Sequence, residues 1–355
     1  MVKQLNEDIS ALLQQGAFIP AHPLALQADL SIDEDSQRRL TRYYIASGAD
    51  GIAVGVHTTQ FEIRKPEFNY LEPVLRMAAE EAAKNAGGKP FIKVAGICGP
   101  VEQALEDARL AVKYGYDLGL LSMGGLQSLT EQQLIDRARA VGALLPVFGF
   151  YLQPAVGGRV LSYDFWKAFA AIPAVQAIKV AAFNRYQTLD VVRAVCDSGR
   201  AGEIALYTGN DDNIVADLLT PYRFVNNGKM LEKRFVGGLL GHYAVWTHRS
   251  VALFRKIREA ITAGNTDLQS FLSTGVEVTD MNAAIFDVKH GFKGCIAGIH
   301  EVLKRQGLMK GVWCLSPDEI LSPGQAEEID RVTALYPHLV DDPFVADFIA
   351  RDQRL

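Results

Sequence analysis

A lysine interrupts an otherwise apolar segment of the sequence, AIKVAAF at positions 177–183. The neighbours Ile178 and Val180 are typical of a buried strand, where an ammonium group is costly unless it is paired, neutralised or used. Desolvation lowers the pKa of such an amine and lets it attack carbonyl carbons to form a Schiff base. Alternatively, the stem of Lys179 lies along apolar surface while its head reaches solvent or a carboxylate.

A tyrosine lies 28 positions before this lysine, at the end of PVFGFY. That separation is about the length of one βα unit, so Tyr151 and Lys179 can converge on one point where two strands end. A phenol at that point can shuttle protons as a carbinolamine forms and collapses. A core tyrosine with a locally satisfied hydroxyl is the alternative.

A turn rich in hydroxyl groups, GVHTTQF at positions 55–61, follows the apolar run GIAVG. Adjacent hydroxyls and backbone N–H groups at a strand-to-helix turn can bind a carboxylate. Ordinary helix capping by Thr58 or Thr59 is the alternative use of the same groups.

Short apolar runs recur about one βα unit apart along the chain. They are GAFIPAHPLAL, GIAVG, FIKVAG, DLGLLSM, PVFGFYL, VQAIKVAAF, EIALYTG and FVGGLL. Eight such strands alternating with helical patterns predict a (β/α)8 TIM barrel, and the absence of GxGxxG disfavours an open doubly wound sheet. We expect a barrel with an N-terminal helix at residues 1–245 and a C-terminal helical extension at residues 246–355, packed on the barrel.

The composition is that of a soluble globular protein, with 49% hydrophobic and 22% charged residues and a formal net charge of −5. The acidic balance gives no footprint for nucleic acid, and neither a signal peptide nor a membrane-spanning segment is expected. Four dispersed cysteines without a CxxC pattern favour the cytoplasm and disfavour a disulfide framework or a zinc ribbon. Small molecules are therefore the expected ligands.

Four motifs together resemble one family of enzymes. These are YLQP (151–154), AIKVAAFN (177–184), YTGND (207–211) and the turn with Thr58 and Thr59. They are similar to motifs of the dihydrodipicolinate synthase and N-acetylneuraminate lyase family of class I aldolases and lyases. The late segment FKGCIAGIHEVLKRQGL (292–308) resembles the C-terminal helical segment of that family.

The resemblance implies a Schiff base between Lys179 and the keto carbon of pyruvate or a related 2-oxo acid, without a separate cofactor. It further implies that Tyr151 relays protons and that Thr58, with His57 or Thr59, binds the carboxylate. Further substrate contacts are implied for Gly209, Asn210 and Leu240. Members of the family commonly assemble as homo-oligomers, so a dimer or tetramer is expected.

Gln60 stands where the family carries a glutamate, which changes the charge balance at the site. Two further departures argue against dihydrodipicolinate synthase itself. The segment LLSMGGLQSL (120–129) lacks the tyrosine pair that the synthases carry after the fourth strand. The arginine that follows their YNVP motif is replaced by Val156, and Arg159 could substitute only with a shifted loop. The identity of the second substrate or leaving group therefore stays open.

Two other functions remain open from the sequence. One is a metal-assisted barrel hydrolase or aldolase using His57, Asp211 or His242, although no HxH or HExxH pattern is present. Asp211 and Asp212 otherwise read as helix caps, and we expect no metal site. The other is a barrel that binds a metabolite without turning it over.

Overall fold

The structure is a computed structural model that describes residues 4–226, 228–264 and 268–352. Its strands are β1 (Phe18–Pro20), β2 (Gly51–Val54), β3 (Ile92–Ile97), β4 (Leu118–Ser122), β5 (Val147–Leu152), β6 (Val175–Ala181), β7 (Ala205–Thr208), β8 (Tyr222–Asn226), β9 (Lys229–Lys233) and β10 (Phe235–Leu240). Eight of them form one sheet in the order β1-β10-β7-β6-β5-β4-β3-β2. A parallel bridge between Ala21 and Ala53 joins the two ends of that order, which makes the sheet a nearly closed (β/α)8 barrel.

Helices alternate with the barrel strands and continue beyond them, as the sequence pattern predicts. They are α1 (Glu7–Gln15), α2 (Glu34–Ala46), α3 (Leu71–Asn85), α4 (Val101–Lys113), α5 (Glu131–Gly142), α6 (Tyr163–Ala170), α7 (Arg185–Asp197), α8 (Ile214–Leu219), α9 (Thr247–Thr262), α10 (Gln269–Ile285), α11 (Cys295–Arg305), α12 (Gln325–Leu335) and α13 (Asp342–Asp352). The predicted barrel and the predicted C-terminal helices are both confirmed.

An antiparallel hairpin formed by β8 and β9 precedes the last barrel strand. The sequence did not predict it, because Tyr222–Asn226 and Lys229–Lys233 alternate between half-buried and exposed positions and contain several charged or polar residues. Such short, half-exposed segments lack the continuous apolar run that marks a barrel strand.

The chain divides into two compact units. One comprises the N-terminal segment to Ala17 together with Ile92–Leu239, and the other comprises Phe18–Phe91 together with the chain from Leu240 onward. The first unit contains β3 to β9 and most of β10, and the second contains β1, β2 and the helices from α9. The division of the chain at residue 245 stays a prediction.

The two faces of β5 and β6 carry different sets of buried side chains in the first unit. Tyr151 and Val180 belong to an apolar cluster that includes Trp166 of α6, in the layer between strands and helices. Phe148 lies on the other face, where its ring meets that of Tyr207 edge-on at a centroid distance of 5.1 Å. Because successive strand residues point to opposite faces, β5 places even-numbered residues toward the barrel interior.

Candidate active site

Lys179 lies in the middle of the parallel strands of the first unit. Its register partners are Phe150 on β5 and Tyr207 on β7, and paired residues of parallel strands point to the same face. Its side chain is only 8% exposed, and Nζ lies 4.4 Å from the centroid of the Phe150 ring. The amine is therefore inside the barrel, as the apolar flanks of the segment predict.

Burial lowers the pKa of the Lys179 amine to about 8, and the negative charge of Asp211 opposes this shift. At pH 7 roughly one amine in ten is then neutral, far more than for an exposed lysine. A neutral amine has a lone pair that can attack a carbonyl carbon. The lowered pKa thus fits a reactive amine better than a lysine whose charged head reaches solvent.

Gly209, which follows β7, makes room for the stem of this lysine. A Cβ atom at Gly209 would lie 2.4 Å from Cε of Lys179 and 2.9 Å from Cβ of Ala181. The amide N–H of Gly209 also donates to the carbonyl oxygen of Val180 at 2.7 Å. Gly209 packs closely against the side chain of Lys179, and its contact with substrate stays a prediction.

Tyr151 lies on the opposite face of β5 from the register partner of Lys179, and its role as a proton relay stays a prediction. Its register partner is Val180, and its ring packs against Trp166 at a centroid distance of 5.1 Å. The phenol oxygen accepts a long hydrogen bond of 3.4 Å from the amide N–H of Leu161. The spacing from Tyr151 to Lys179 corresponds to one βα unit. Two residues on adjacent strands point to the same face only if the strand register pairs them, or pairs residues an even number of positions away.

Phe150 is the β5 residue that sequence reasoning missed. It is buried, it shares the face of Lys179, and its ring centroid lies 4.4 Å from the amine nitrogen. Had the pairing of β5 with β6 been known, the alternation of side chains along β5 would have selected Phe150, rather than Tyr151, as the residue that faces Lys179.

The side chain of Asn210 is hydrogen-bonded within the fold, and its contact with substrate stays a prediction. Its side-chain oxygen accepts from the N–H of Phe183 at 3.0 Å, and its amide nitrogen donates to Oδ2 of Asp217 at 2.9 Å. Asp217 also accepts from Thr208 at 2.7 Å and is paired with Arg185. The buried amide is thereby used within the fold, since unpaired buried amides are costly.

The turn after β2 forms a short 3-10 helix, His57–Thr59, in the second unit. Oγ1 of Thr59 donates to the carbonyl oxygen of His22 at 2.7 Å and accepts from the N–H of Gly55 at 2.9 Å. These bonds make Thr59 a structural cap, the alternative that the sequence left open. Oγ1 of Thr58 makes only a longer bond of 3.3 Å to the same carbonyl, which leaves it better suited to a ligand.

The remaining predicted contacts of the second unit are His57 and Leu240. His57 is half-buried beside the ring of Phe61, at a centroid distance of 5.8 Å. Leu240 is fully buried, and its carbonyl oxygen accepts from the N–H of Ala21 at 3.1 Å. Their roles in binding substrate stay predictions.

Gln60 has a left-handed backbone with φ of 68° and a buried side chain. Its side-chain oxygen accepts from the N–H of Leu315 at 2.6 Å, which fixes the orientation of the amide. Its nitrogen Nε2 is buried and has no hydrogen-bond partner among the residues that the structure describes. The side-chain amide of Gln60 thus joins the turn to the segment around Leu315. Its unpaired Nε2 group reduces the stability gained from this hydrogen bond.

The loops after β4 and β5 are joined to each other. Arg159 donates through Nη1 to the carbonyl oxygens of Leu126 at 2.8 Å and Leu129 at 2.9 Å, and Gly125 donates to the carbonyl oxygen of Gly157 at 3.3 Å. Arg159 therefore forms a latch, by which we mean its hydrogen bonds from the loop after β5 to the loop after β4. These bonds engage its guanidinium within the fold rather than in the place of the missing substrate-binding arginine.

The described ranges contain no group of three or more histidine, cysteine, aspartate or glutamate side chains placed to hold a metal ion. His242 is buried beside Ser250, with its Nε2 3.2 Å from the hydroxyl, and burial lowers its pKa to about 4. Among the same residues, no helix has the length and apolar character needed to cross a bilayer.

Comparisons with known proteins point in one direction. The chain is 26% identical over 273 residues to N-acetylneuraminate lyase of Enterobacter sp. (strain 638), covering 76% of this chain and 80% of the relative. It is 23% identical to N-acetylneuraminate lyase of Salmonella agona (strain SL483) over 88% of this chain and 92% of the relative. No sequence model of a protein family matches.

The fold is also shared with solved structures. Dihydrodipicolinate synthase from Oceanobacillus iheyensis superposes with a TM-score of 0.73 at 19% identity, over 93% of this chain and 99% of that chain. The fold is that of a (β/α)8 barrel, and the relatives found by sequence carry the name of a lyase. The chain therefore resembles the dihydrodipicolinate synthase and N-acetylneuraminate lyase family, as its motifs indicate.

Proposed function

We propose that the chain is a Schiff-base-forming lyase or aldolase that acts on pyruvate or a related 2-oxo acid, with Lys179 as the nucleophile. The observation that carries the proposal is the buried amine over the Phe150 ring, whose pKa is lowered to about 8. The relatives named N-acetylneuraminate lyase support a carbon–carbon lyase.

The reaction would begin when the neutral amine attacks the keto carbon of the 2-oxo acid. The resulting carbinolamine loses water and becomes a cationic imine. The positive nitrogen withdraws electrons, so the neighbouring carbon can lose a proton or a carbon substituent. The enamine left by this loss takes up a proton or bonds to an electrophilic carbon and becomes an imine again. Water then hydrolyses this imine, releases the oxo acid and restores Lys179.

The carboxylate of the 2-oxo acid remains assigned, by resemblance, to Thr58 and His57. The longer hydrogen bond of Thr58 supports it over Thr59, because the Thr59 hydroxyl is already used as both donor and acceptor. Leu240 would supply apolar surface. No separate cofactor is needed for this chemistry.

The proposal is tested by mixing the protein with pyruvate, reducing with borohydride and measuring the intact mass. A mass increase equal to one reduced pyruvate adduct is expected, and peptide mapping should locate it at Lys179. Lys179→Arg is the matched control, because it keeps a long cationic side chain but cannot form the imine. An adduct that persists in this variant, or no adduct with any of a panel of 2-oxo acids, would overturn the proposal.

A second candidate is reversible binding of a 2-oxo acid without turnover. The orientation of Tyr151 favours it, since the interior face of β5 carries an apolar ring where a proton relay was expected. Thermal stabilisation by pyruvate without release of any product from a panel of substrates would support this candidate.

We further propose a cytoplasmic location and a homo-oligomer, either dimer or tetramer. The four cysteines are all unbridged, which fits a reducing compartment. Light scattering coupled to gel filtration would give the assembly state, and a monomer at working concentration would contradict it.

A further inference from the structure

The amine of Lys179 meets an aromatic face rather than a polar group. Nζ lies 4.4 Å from the centroid of Phe150, within the distance at which a ring attracts a cation. Both residues are buried and are register partners on adjacent strands, so their side chains point to the same face of the sheet.

Other partners of the amine are few. In the parts of the chain that the structure describes, no hydrogen bond or ion pair joins Nζ to another residue, and Asp211 acts on it only through longer-range electrostatics. Gly209, at the end of β7, packs against the stem of the lysine. The ring is therefore the one directional contact that remains for the charged nitrogen among the described residues.

We infer that the face of Phe150 is the surface that holds the Lys179 amine, and then the cationic imine formed from it, in the reacting position. The part that concerns the imine rests on the proposed function. A ring quadrupole stabilises positive charge without accepting a proton, unlike a carboxylate. The imine nitrogen can thus stay protonated and keep its capacity to withdraw electrons, and Phe150 is a positioning residue for it.

The test replaces Phe150 by mono-, di- and trifluorinated phenylalanine, which weakens the ring quadrupole while nearly preserving shape. The readout on the protein alone is the titration of Lys179, followed by the chemical shift of its labelled Cε and assigned with Lys179→Arg. Since the ring favours the ammonium, the apparent pKa should fall along the series, by about one unit or a tenfold change in the dissociation constant.

The matched control is the same fluorinated series at Phe148. That ring also lies inside the barrel but meets Tyr207. It should leave the Lys179 titration unchanged. A titration midpoint that stays constant along the Phe150 series, or that shifts equally with Phe148, would overturn the inference.

A second readout separates this inference from the proposed function. The fraction of protein trapped by borohydride with pyruvate, measured at a pH well above 8 so that the free amine starts neutral, should fall along the Phe150 series. A shift of the titration in a protein that traps no 2-oxo acid would confirm the contact with the amine while refuting the Schiff-base function. A constant trapped fraction despite a shifted titration would refute the role of the ring toward the imine.

Discussion

Phe150 and Tyr151 are consecutive residues whose side chains lie on opposite faces of β5. The ring of Phe150 faces Lys179, whereas the ring of Tyr151 packs on Trp166 in the layer between strand and helix. Lys179 therefore has an apolar neighbour on this strand, and the phenol of Tyr151 lies on the other face.

Tyr151→Phe should leave imine formation almost unchanged. The substitution removes only a hydroxyl that accepts a long hydrogen bond from Leu161. A proton-relay role would instead cost about two to four orders of magnitude in rate. Stopped-flow or quenched trapping with pyruvate measures the difference, and a loss of a hundredfold in a folded variant would restore Tyr151 to the reaction.

Asp211→Asn should lower the pKa of Lys179 below its value of about 8, because the Asp211 charge favours the ammonium form. Imine formation should then reach its maximal rate at a lower pH than in the unchanged protein. The pH dependence of the trapping rate measures this shift. Asp212→Asn serves as the comparison, and an equal shift in both variants would show that the effect is not specific to Asp211.

Gly209→Ala should abolish most trapping of 2-oxo acids. The added Cβ would lie 2.4 Å from Cε of Lys179, so the lysine stem must move and the amine loses its position. A loss of at least about a hundredfold is expected for a misplacement of this size. Gly202→Ala is the matched control, because an added Cβ there meets no atom within 4 Å.

Thr59→Val should reduce the free energy of unfolding by about 1–3 kcal/mol, since it leaves the buried N–H of Gly55 without its hydroxyl partner. Urea unfolding measures the change. Thr58→Val should destabilise less and should instead raise the KM for the 2-oxo acid. Equal KM values for the Thr58 variant and the unchanged protein would contradict the carboxylate assignment.

Lys179→Met should stabilise the protein while removing its reactivity. The folded-state pKa of about 8 is lower than the ordinary value of 10.5, so burying the ammonium is costly at any pH below 8 and the cost fades as pH rises toward 10.5. The gain should be about 3 kcal/mol below pH 8. Denaturant unfolding at several pH values measures it, and a gain independent of pH would show that packing rather than charge is responsible.

The sequence predicted the barrel because its eight strands are continuous apolar runs separated by helical patterns. It also predicted the burial of Lys179, whose flanks are apolar on both sides. It did not predict which side of β5 faces the amine, because motif spacing measures distance along the chain while face parity depends on strand register. The hydrogen bonds of Asn210 with Phe183 and Asp217 could not be predicted either, because they form only where segments that follow different strands meet.

The latch formed by Arg159 has a consequence for how substrate choice can change. Because its guanidinium donates to carbonyl oxygens in the preceding loop, the segments after β4 and β5 are held to each other. A change in one segment that displaces these carbonyls or the arginine also alters the support of the other. Libraries that aim to alter specificity should therefore vary both segments together and retain the arginine.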